Sequence, residues 1–288
     1  MNVMVSLAGA RRIGELETFS DRKVTVYCHQ NNGLANRFKN IFSAHRLFKK
    51  EDIEVFWYTD FVFKYAKLNE YFPDLVETET VAGKEYRQGW RLVTLPEDVP
   101  QGFSNKNELY NKFFGHYPHP IIRNGKAIDF EFERIPENVK EEYRKIIGSI
   151  RIADHILEAA DSFASKNFDD ETVSVHIRAF KDSADHQRMF FSSERICEKM
   201  DKYPDSKFFV TTDSPEVIPQ LKELYGDNRI ITREQNNPMF DGFIDMLSVS
   251  KNNTIIGSPW STFSEMAWWF GGAKAKMEVA WKEDEWYN

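Results

Sequence analysis

Cysteine is nearly absent from this chain of 288 residues, which carries only Cys28 and Cys197. They fall in a predicted strand and in a predicted helix of opposite halves. Neither a disulfide framework nor a zinc cluster can be built from them, and a reducing compartment is expected. Long apolar runs are missing as well. No stretch approaches the ~18 uncharged apolar residues that a membrane-spanning helix requires. Residues 1–10 are mildly apolar, but Arg11 and Arg12 follow them, which is not the basic-then-apolar order of a secretory leader. The expected location is therefore cytoplasmic, with no transmembrane segment. An excess of positive charge is also lacking: 38 Lys and Arg stand against 45 Asp and Glu, for a net charge of -7. Such a chain repels phosphate backbones, so no nucleic-acid partner is expected. A small polyanion stays open, because one well-placed Arg outweighs the net charge. The three-glycine dinucleotide fingerprint and the P-loop are both absent. So is any convincing Asp-x-Asp pair of the kind used by metal-dependent sugar transferases, and no metal site is predicted.

What is present is a chain at the upper limit for one hydrophobic core, so two domains are expected, at 22–166 and 170–288. The polar run 167–170 marks the boundary. Strands and helices alternate, which predicts an α/β protein with parallel sheets. In the first half, strands are predicted at 24–28 and 53–58, and helices at 35–48 and 61–70. Phe38, Ile41, Phe42 and His45 lie on one stripe of the helix at 35–48. Irregular loops and short helices are expected over 72–136. A helical period runs from 137 to 165, and Gly148 is placed to divide it. In the second half, strands are predicted at 173–178, 208–212, 229–231 and 254–257. Helices are predicted at 192–202, 214–225, 240–250 and 262–270. That alternation is a Rossmann-type unit.

The most informative stretch is Val173-Ser-Val-His-Ile-Arg178. Val173, Val175 and Ile177 alternate with Ser174, His176 and Arg178, so the two sets face opposite ways. Arg178 falls at the carboxyl end of the strand, where open α/β sheets bind ligands. A guanidinium there presents a planar fork of donors suited to phosphate oxygens.

Three further features belong with it. Thr211-Thr-Asp213 puts a carboxylate at the same edge, able to accept from a base amine or a ribose hydroxyl. Capping of the following helix by Asp213 or Ser214, with Pro215 at its start, explains the same residues equally well. Gly257-Ser-Pro-Trp-Ser-Thr-Phe-Ser-Glu265 runs from a short strand into a helix start, where exposed amides and the hydroxyls of Ser261 and Thr262 form an anion site. Thr262 and Glu265 also have the spacing of a capping box, which needs no ligand. Gly33-Leu-Ala-Asn-Arg37 is a glycine-led turn after the first strand, where backbone can come close to a ligand.

Taken in order, these elements resemble the α1,2/α1,6- and protein O-fucosyltransferase superfamily. Gly33-Leu-Ala-Asn-Arg37 is similar to its Gly-Leu-Gly-Asn-Arg element, and His176-Ile-Arg178 to its His-x-Arg element. Thr211-Thr-Asp213, Asp245-Met-Leu-Ser248 and residues 256–264 follow in the family's order. The resemblance covers both ends of the chain but not 72–136.

It implies a GT-B architecture of two Rossmann-like domains facing a cleft. The implied activity is inverting transfer of fucose from GDP-fucose to a glycan acceptor, without a metal or other cofactor. Arg178 would hold the β-phosphate and serve catalysis with Asn36, which would sit beside the transferred sugar. His176 and Asp213 would contact guanosine, Ser261 and Thr262 would bind phosphate, and Gly33 and Arg37 would belong to the donor site.

The chain departs from the family where many relatives carry a second basic residue after His-x-Arg. Here Ala179 follows, which leaves open another GDP- or UDP-sugar donor, or a non-catalytic relative that only binds sugar nucleotide or glycan. No single base for the acceptor hydroxyl stands out among Asp60, Asp182, Asp185 and His186. His29 is a hydrogen-bonded structural histidine in the plainer account, and Trp260 is the better aromatic candidate for a ligand contact than the Trp268–Trp269 pair. Asp129, Glu131 and Glu133 alternate on one strand face and are best explained as a solvated edge.

Overall fold

The computed structural model describes residues 24–28, 33–47, 53–57, 65–75, 121–123, 126–128, 137–179, 184, 187, 191–259 and 261–280. The chain forms two compact units. One comprises Met1–Tyr117, Ile135–Asp154 and Asn237–Phe240, and the other Pro118–Arg134, His155–Asn236 and Asp241–Asn288.

In the first unit, β1 (Val24–Cys28) pairs in parallel with β2 (Ile53–Trp57), and α1 (Leu34–Leu47) connects them. The predicted stripe is observed: Phe38, Ile41 and Phe42 are buried against the strands. Phe38 stacks near Trp57 and meets Phe72 edge-on, with ring centroids 6.3 and 4.8 Å away.

The helix expected at 61–70 shortens to α2 (Leu68–Tyr71), with 61–64 outside the described residues. Its described middle part, around Ala66, is occupied by other bonds. The Trp57 indole donates to the Ala66 carbonyl at 2.9 Å, and the Ala66 amide donates to the Tyr71 hydroxyl at 3.1 Å. Ala66 therefore has no main-chain groups left for a helical ladder. The helical stretch after 137 is divided into α3 (Glu137–Ser149) and α4 (Asp154–Asn167); the break falls at 150–153, while Gly148, the expected divider, stays inside α3.

In the second unit, β3 (Ile121–Arg123) and β4 (Lys126–Ile128) form an antiparallel hairpin. It replaces the irregular loop expected there. The signal was Asn124-Gly125, a two-residue hairpin sequence. The rest of 76–136 lies outside the described residues, Asp129, Glu131 and Glu133 included.

The main body of this unit is a parallel five-stranded sheet. Its strands are β5 (Val173–Ile177), β6 (Phe208–Thr212), β7 (Ile230–Ile231), β8 (Thr254–Gly257) and β9 (Lys276–Val279). They lie side by side in the order β7-β6-β5-β8-β9. The helices are α5 (Ser193–Met200), α6 (Val217–Tyr225), α7 (Asp241–Val249) and α8 (Thr262–Phe270). β9 was not anticipated from the sequence.

The strand order grows outward from β5 in one direction through β6 and β7. It then returns to the other side of β5 with β8. The crossing point between β5 and β8 is the topological switch at which open α/β sheets bind ligands. One face of β5 presents Val173, Val175 and Ile177 to a core that includes Ile196 and Met200 of α5 and Leu221 of α6. The other face presents Ser174 and His176. Ser174 donates to the Val249 carbonyl at 3.1 Å and accepts from Asn252 Nδ2 at 2.8 Å. Every β5 residue is buried, as expected of a central parallel strand covered on both faces. Among the described residues, no helix is long and apolar enough to cross a membrane.

Candidate functional site

Register brings three side chains to one place. Ile177 is level with Thr212 of β6, and His176 with Gly257 of β8. The next residues beyond the three strand ends are therefore Arg178, Asp213 and Ser258, at the carboxyl edge and on both sides of the switch. Arg178 Nη1 donates to Asp213 Oδ2 at 2.6 Å, and the Ala179 amide donates to Asp213 Oδ1 at 2.8 Å. The Arg178 amide donates to Ser258 Oγ at 2.9 Å.

The guanidinium is paired but not sealed in, because the Arg178 side chain keeps 33% of its surface and that of Asp213 keeps 23%. A partly exposed cation at a strand end can add an anionic ligand to its existing partner. Each oxygen of Asp213 already accepts one hydrogen bond. Asp213 caps no helix: α6 begins only at Val217, with Glu216 at its N-cap. Thr212 Oγ1 accepts from the Ser214 amide at 2.9 Å and turns the chain before the helix can start.

His176 points to the opposite side from the Val173–Val175–Ile177 core. Its ring stacks on Phe263 with centroids 4.3 Å apart, and its Nδ1 lies 3.1 Å from Thr211 Oγ1. Burial, with a smaller contribution from the nearby Arg178 charge, pushes its pKa down to about 3. The imidazole is therefore neutral at physiological pH. Its Nε2 is buried and has no hydrogen-bond partner among the described residues. It can offer a hydrogen bond but no charge.

Ser261 is the N-cap of α8, but its side chain makes no capping hydrogen bond. Thr262 is thus the first helical residue, and Glu265 falls one position too late for the expected capping box. The Ser261 amide donates to the Ser258 carbonyl at 3.4 Å, which ties the start of α8 to the turn that holds Arg178. The first-turn amides of α8 have no intrahelical acceptor and carry the positive end of the helix dipole. Gly257 lets the helix come close. A Cβ on it would stand 2.8 Å from Ser264 Oγ.

Gly33, Asn36 and Arg37 belong to the first unit. Gly33 and Asn36 are partly exposed at the start of α1. Among the described residues, a Cβ built on Gly33 would meet nothing within 4 Å. Arg37 is fully buried. Its guanidinium lies over the rings of Trp57 and Tyr65, at 4.7 and 4.6 Å from their centroids. Its surroundings are aromatic, not those of an open phosphate site. His29, Asp60, Asp182, Asp185, His186 and Trp260 lie outside the described residues. Trp268 and Trp269 are buried against each other.

Asp245 is buried and receives Arg233 Nε at 2.6 Å and Gln235 Nε2 at 2.9 Å, so it fastens the segment after β7. Sequence reasoning missed Ser258 and Phe263 as members of this site. The signal for Ser258 was its place one residue past a strand end. Among the described residues, no group of three or more His, Cys, Asp and Glu could hold a metal ion.

No family model and no curated protein matches the chain. Solved structures do. A NodZ α-1,6-fucosyltransferase soaked with GDP-fucose aligns over 87% of this chain and 93% of its own, with TM-score 0.50 and 16% identity. The same enzyme co-crystallised with GDP aligns over 86% and 92%, again with TM-score 0.50 and 16% identity. The apo form of POFUT1 aligns over 50% of each chain, with TM-score 0.37 and 18% identity, so this chain spans half the length of that protein. The mixed α/β architecture with its parallel five-stranded sheet matches the GT-B fold of the fucosyltransferase NodZ.

Proposed function

We propose that this chain is an inverting glycosyltransferase that moves a sugar, fucose from GDP-fucose in the first instance, onto a hydroxyl of a glycan acceptor. One observation carries the proposal. The partly exposed guanidinium of Arg178 stands beside the β5/β8 switch, and the first turn of α8 is tied to the same turn. The GT-B fold supports it.

Breaking a glycosyl-phosphate bond builds positive charge on the sugar ring and negative charge on the departing diphosphate. Arg178 and the α8 amides, with the hydroxyls of Ser261 and Thr262, stabilise that negative charge. This arrangement supplies the electrostatic role that a divalent metal fills elsewhere, so neither a metal nor another cofactor is assigned. Asp213 holds the guanidinium, and neutral His176 is left for an uncharged part of the nucleoside. In the first unit, Gly33 and Asn36 are assigned to the transferred sugar, and Arg37 to holding their turn in place. On the expected division into domains 22–166 and 170–288, the acceptor side is assigned to the first domain and the nucleotide to the second.

A second donor is favoured by Ala179. It is buried, and its amide is committed to Asp213, so the site offers one guanidinium where many relatives would offer two basic groups. That economy suits another GDP- or UDP-sugar.

The test is to incubate the protein with GDP-fucose and a panel of glycans in the presence of a chelator and to measure released GDP. Arg178→Ala is expected to lower turnover by about 10²- to 10³-fold, the usual loss of a charge-stabilising donor. Full turnover by that variant overturns the assignment. Thermal protection by UDP but not by GDP overturns the fucose donor.

A further inference from the structure

We propose that Ser258 is the positioning residue that sets the direction in which Arg178 presents its guanidinium. The inference rests on the donor-site reading of Arg178 given above and adds a residue to it.

β5 ends at Ile177, so Arg178 is the first residue without the support of the sheet. Its amide would lose its acceptor there. Ser258 supplies one, with Oγ 2.9 Å from the Arg178 amide. The same hydroxyl donates to the His176 carbonyl at 3.2 Å, and the Ser258 amide donates to that carbonyl at 3.1 Å. One buried side chain, 3% exposed, thus extends the β5–β8 ladder by a step that backbone alone does not make. A hydroxyl can do this because it accepts and donates at once. Alanine could do neither.

The consequence reaches the far end of the arginine. Its side chain is long and rich in rotamers, and an unheld one would spread the charge over many positions. Asp213 fixes the head of that chain. Ser258 fixes its root. Electrostatic stabilisation of a leaving group depends on donors already in place before charge develops. The Ser258 hydroxyl bonds main-chain groups of His176 and Arg178, so it acts through Arg178.

The carbonyl of Ser258 adds a second connection. It accepts from the Ser261 amide at 3.4 Å, at the N-cap of α8. The residue therefore joins the two anion-binding elements of the proposed site across the switch. Neighbouring residues do not duplicate this: Pro259 has no amide hydrogen, and Gly257 has no side chain.

The experiment is a double-mutant cycle on the full chain. Wild type, Ser258→Ala, Arg178→Ala and the double variant are compared for GDP affinity by calorimetry and for kcat and KM with GDP-fucose. Guanosine, which lacks phosphates, is the binding control. Ser258→Ala is expected to lower kcat about 10-fold and to weaken GDP, while guanosine affinity stays as in wild type. In the Arg178→Ala background the same change is expected to cost nothing further, because coupled residues are non-additive. Ser258→Thr, which keeps the hydroxyl, restores the wild-type values.

An equal loss in both backgrounds overturns the inference, and so does a parallel loss of guanosine. If Ser258→Ala does not fold, Ser258→Cys takes its place in the cycle. Its weaker hydrogen bonding is then expected to give a smaller loss of the same pattern, and wild-type behaviour overturns the inference. A wild-type protein that binds no nucleoside diphosphate removes the donor-site reading and this inference together. A wild type that binds GDP, with an additive cycle, removes this inference alone.

Discussion

Arg178 and Asp213 are 35 residues apart in sequence, and they meet one residue beyond the ends of adjacent strands with Nη1 2.6 Å from Oδ2. The carboxylate also receives the Ala179 amide at 2.8 Å. It therefore holds both the side chain of one residue and the main chain of the next. Such a doubly used carboxylate matters more for local order than for overall stability, because the Arg178–Asp213 ion pair is partly exposed.

Asp213→Ala is expected to cost about 1 kcal/mol of stability, the net worth of an ordinary hydrogen bond. The larger effect is expected locally. Amide hydrogen exchange at Ala179 accelerates by more than the global loss explains. Unchanged protection at Ala179 would show that the amide does not depend on this carboxylate.

His176 predicts a particular dependence of stability on pH. The unfolded imidazole takes up a proton near 6.5, whereas the folded one resists until about 3. Between those values the unfolded state binds more protons, so stability falls as pH drops. The contribution is complete above 6.5 and declines by at most about 1.4 kcal/mol per pH unit below it. Urea unfolding across this range is expected to show a shallower acid limb for His176→Gln than for wild type. The His176 ring resonances are expected to stay constant from roughly pH 8 to 4.

Two glycines should respond in opposite ways. Gly257→Ala places a methyl group 2.8 Å from Ser264 Oγ and 3.2 Å from its Cβ. Overpacking of this kind costs about 1–3 kcal/mol, and adding Ser264→Ala is expected to recover part of it. Gly33→Ala meets no atom of the described residues within 4 Å and no positive φ, so its stability is expected to stay within about 0.5 kcal/mol of wild type. If that variant melts normally yet loses turnover, the methyl group is obstructing a ligand and not the fold.

Arg37 tests the aromatic enclosure. Its flat guanidinium covers Trp57 and Tyr65 together, and a compact ammonium cannot. Arg37→Lys is expected to destabilise by about 1–2 kcal/mol, drawn from lost cation–π contact at a desolvated site. Thermal unfolding of the variant measures it. A melting point equal to wild type would show that charge, and not shape, is what the enclosure requires.

Much of this architecture is legible in the sequence because periodicity reports burial directly. Phe38, Ile41 and Phe42 mark the buried stripe of α1, and the alternation from Val173 to Ile177 marks a strand. The position of Arg178 follows from the same alternation. Other features depend on partners that local pattern does not show. Residues 65–67 fail to become helical because the side chains of Trp57 and Tyr71 bind the Ala66 backbone. The start of α6 moves to Val217 because Thr212 turns the chain. Arg37 is assigned to the donor site by resemblance alone, and nothing in its motif shows the two rings that lie against its guanidinium. Ser258 was passed over because its partners are main-chain groups of His176 in β5 and of Arg178 just beyond it, 82 and 80 residues away.

That separation says something about when the cradle can exist during folding. Closing a segment of this length carries a larger entropy cost than pairing β5 with β6. A nascent chain that stops short of Thr254 already contains the cation and its carboxylate but has nothing to steady the root of the arginine. The complete set of contacts around Arg178 is thereby tied to completion of the sheet.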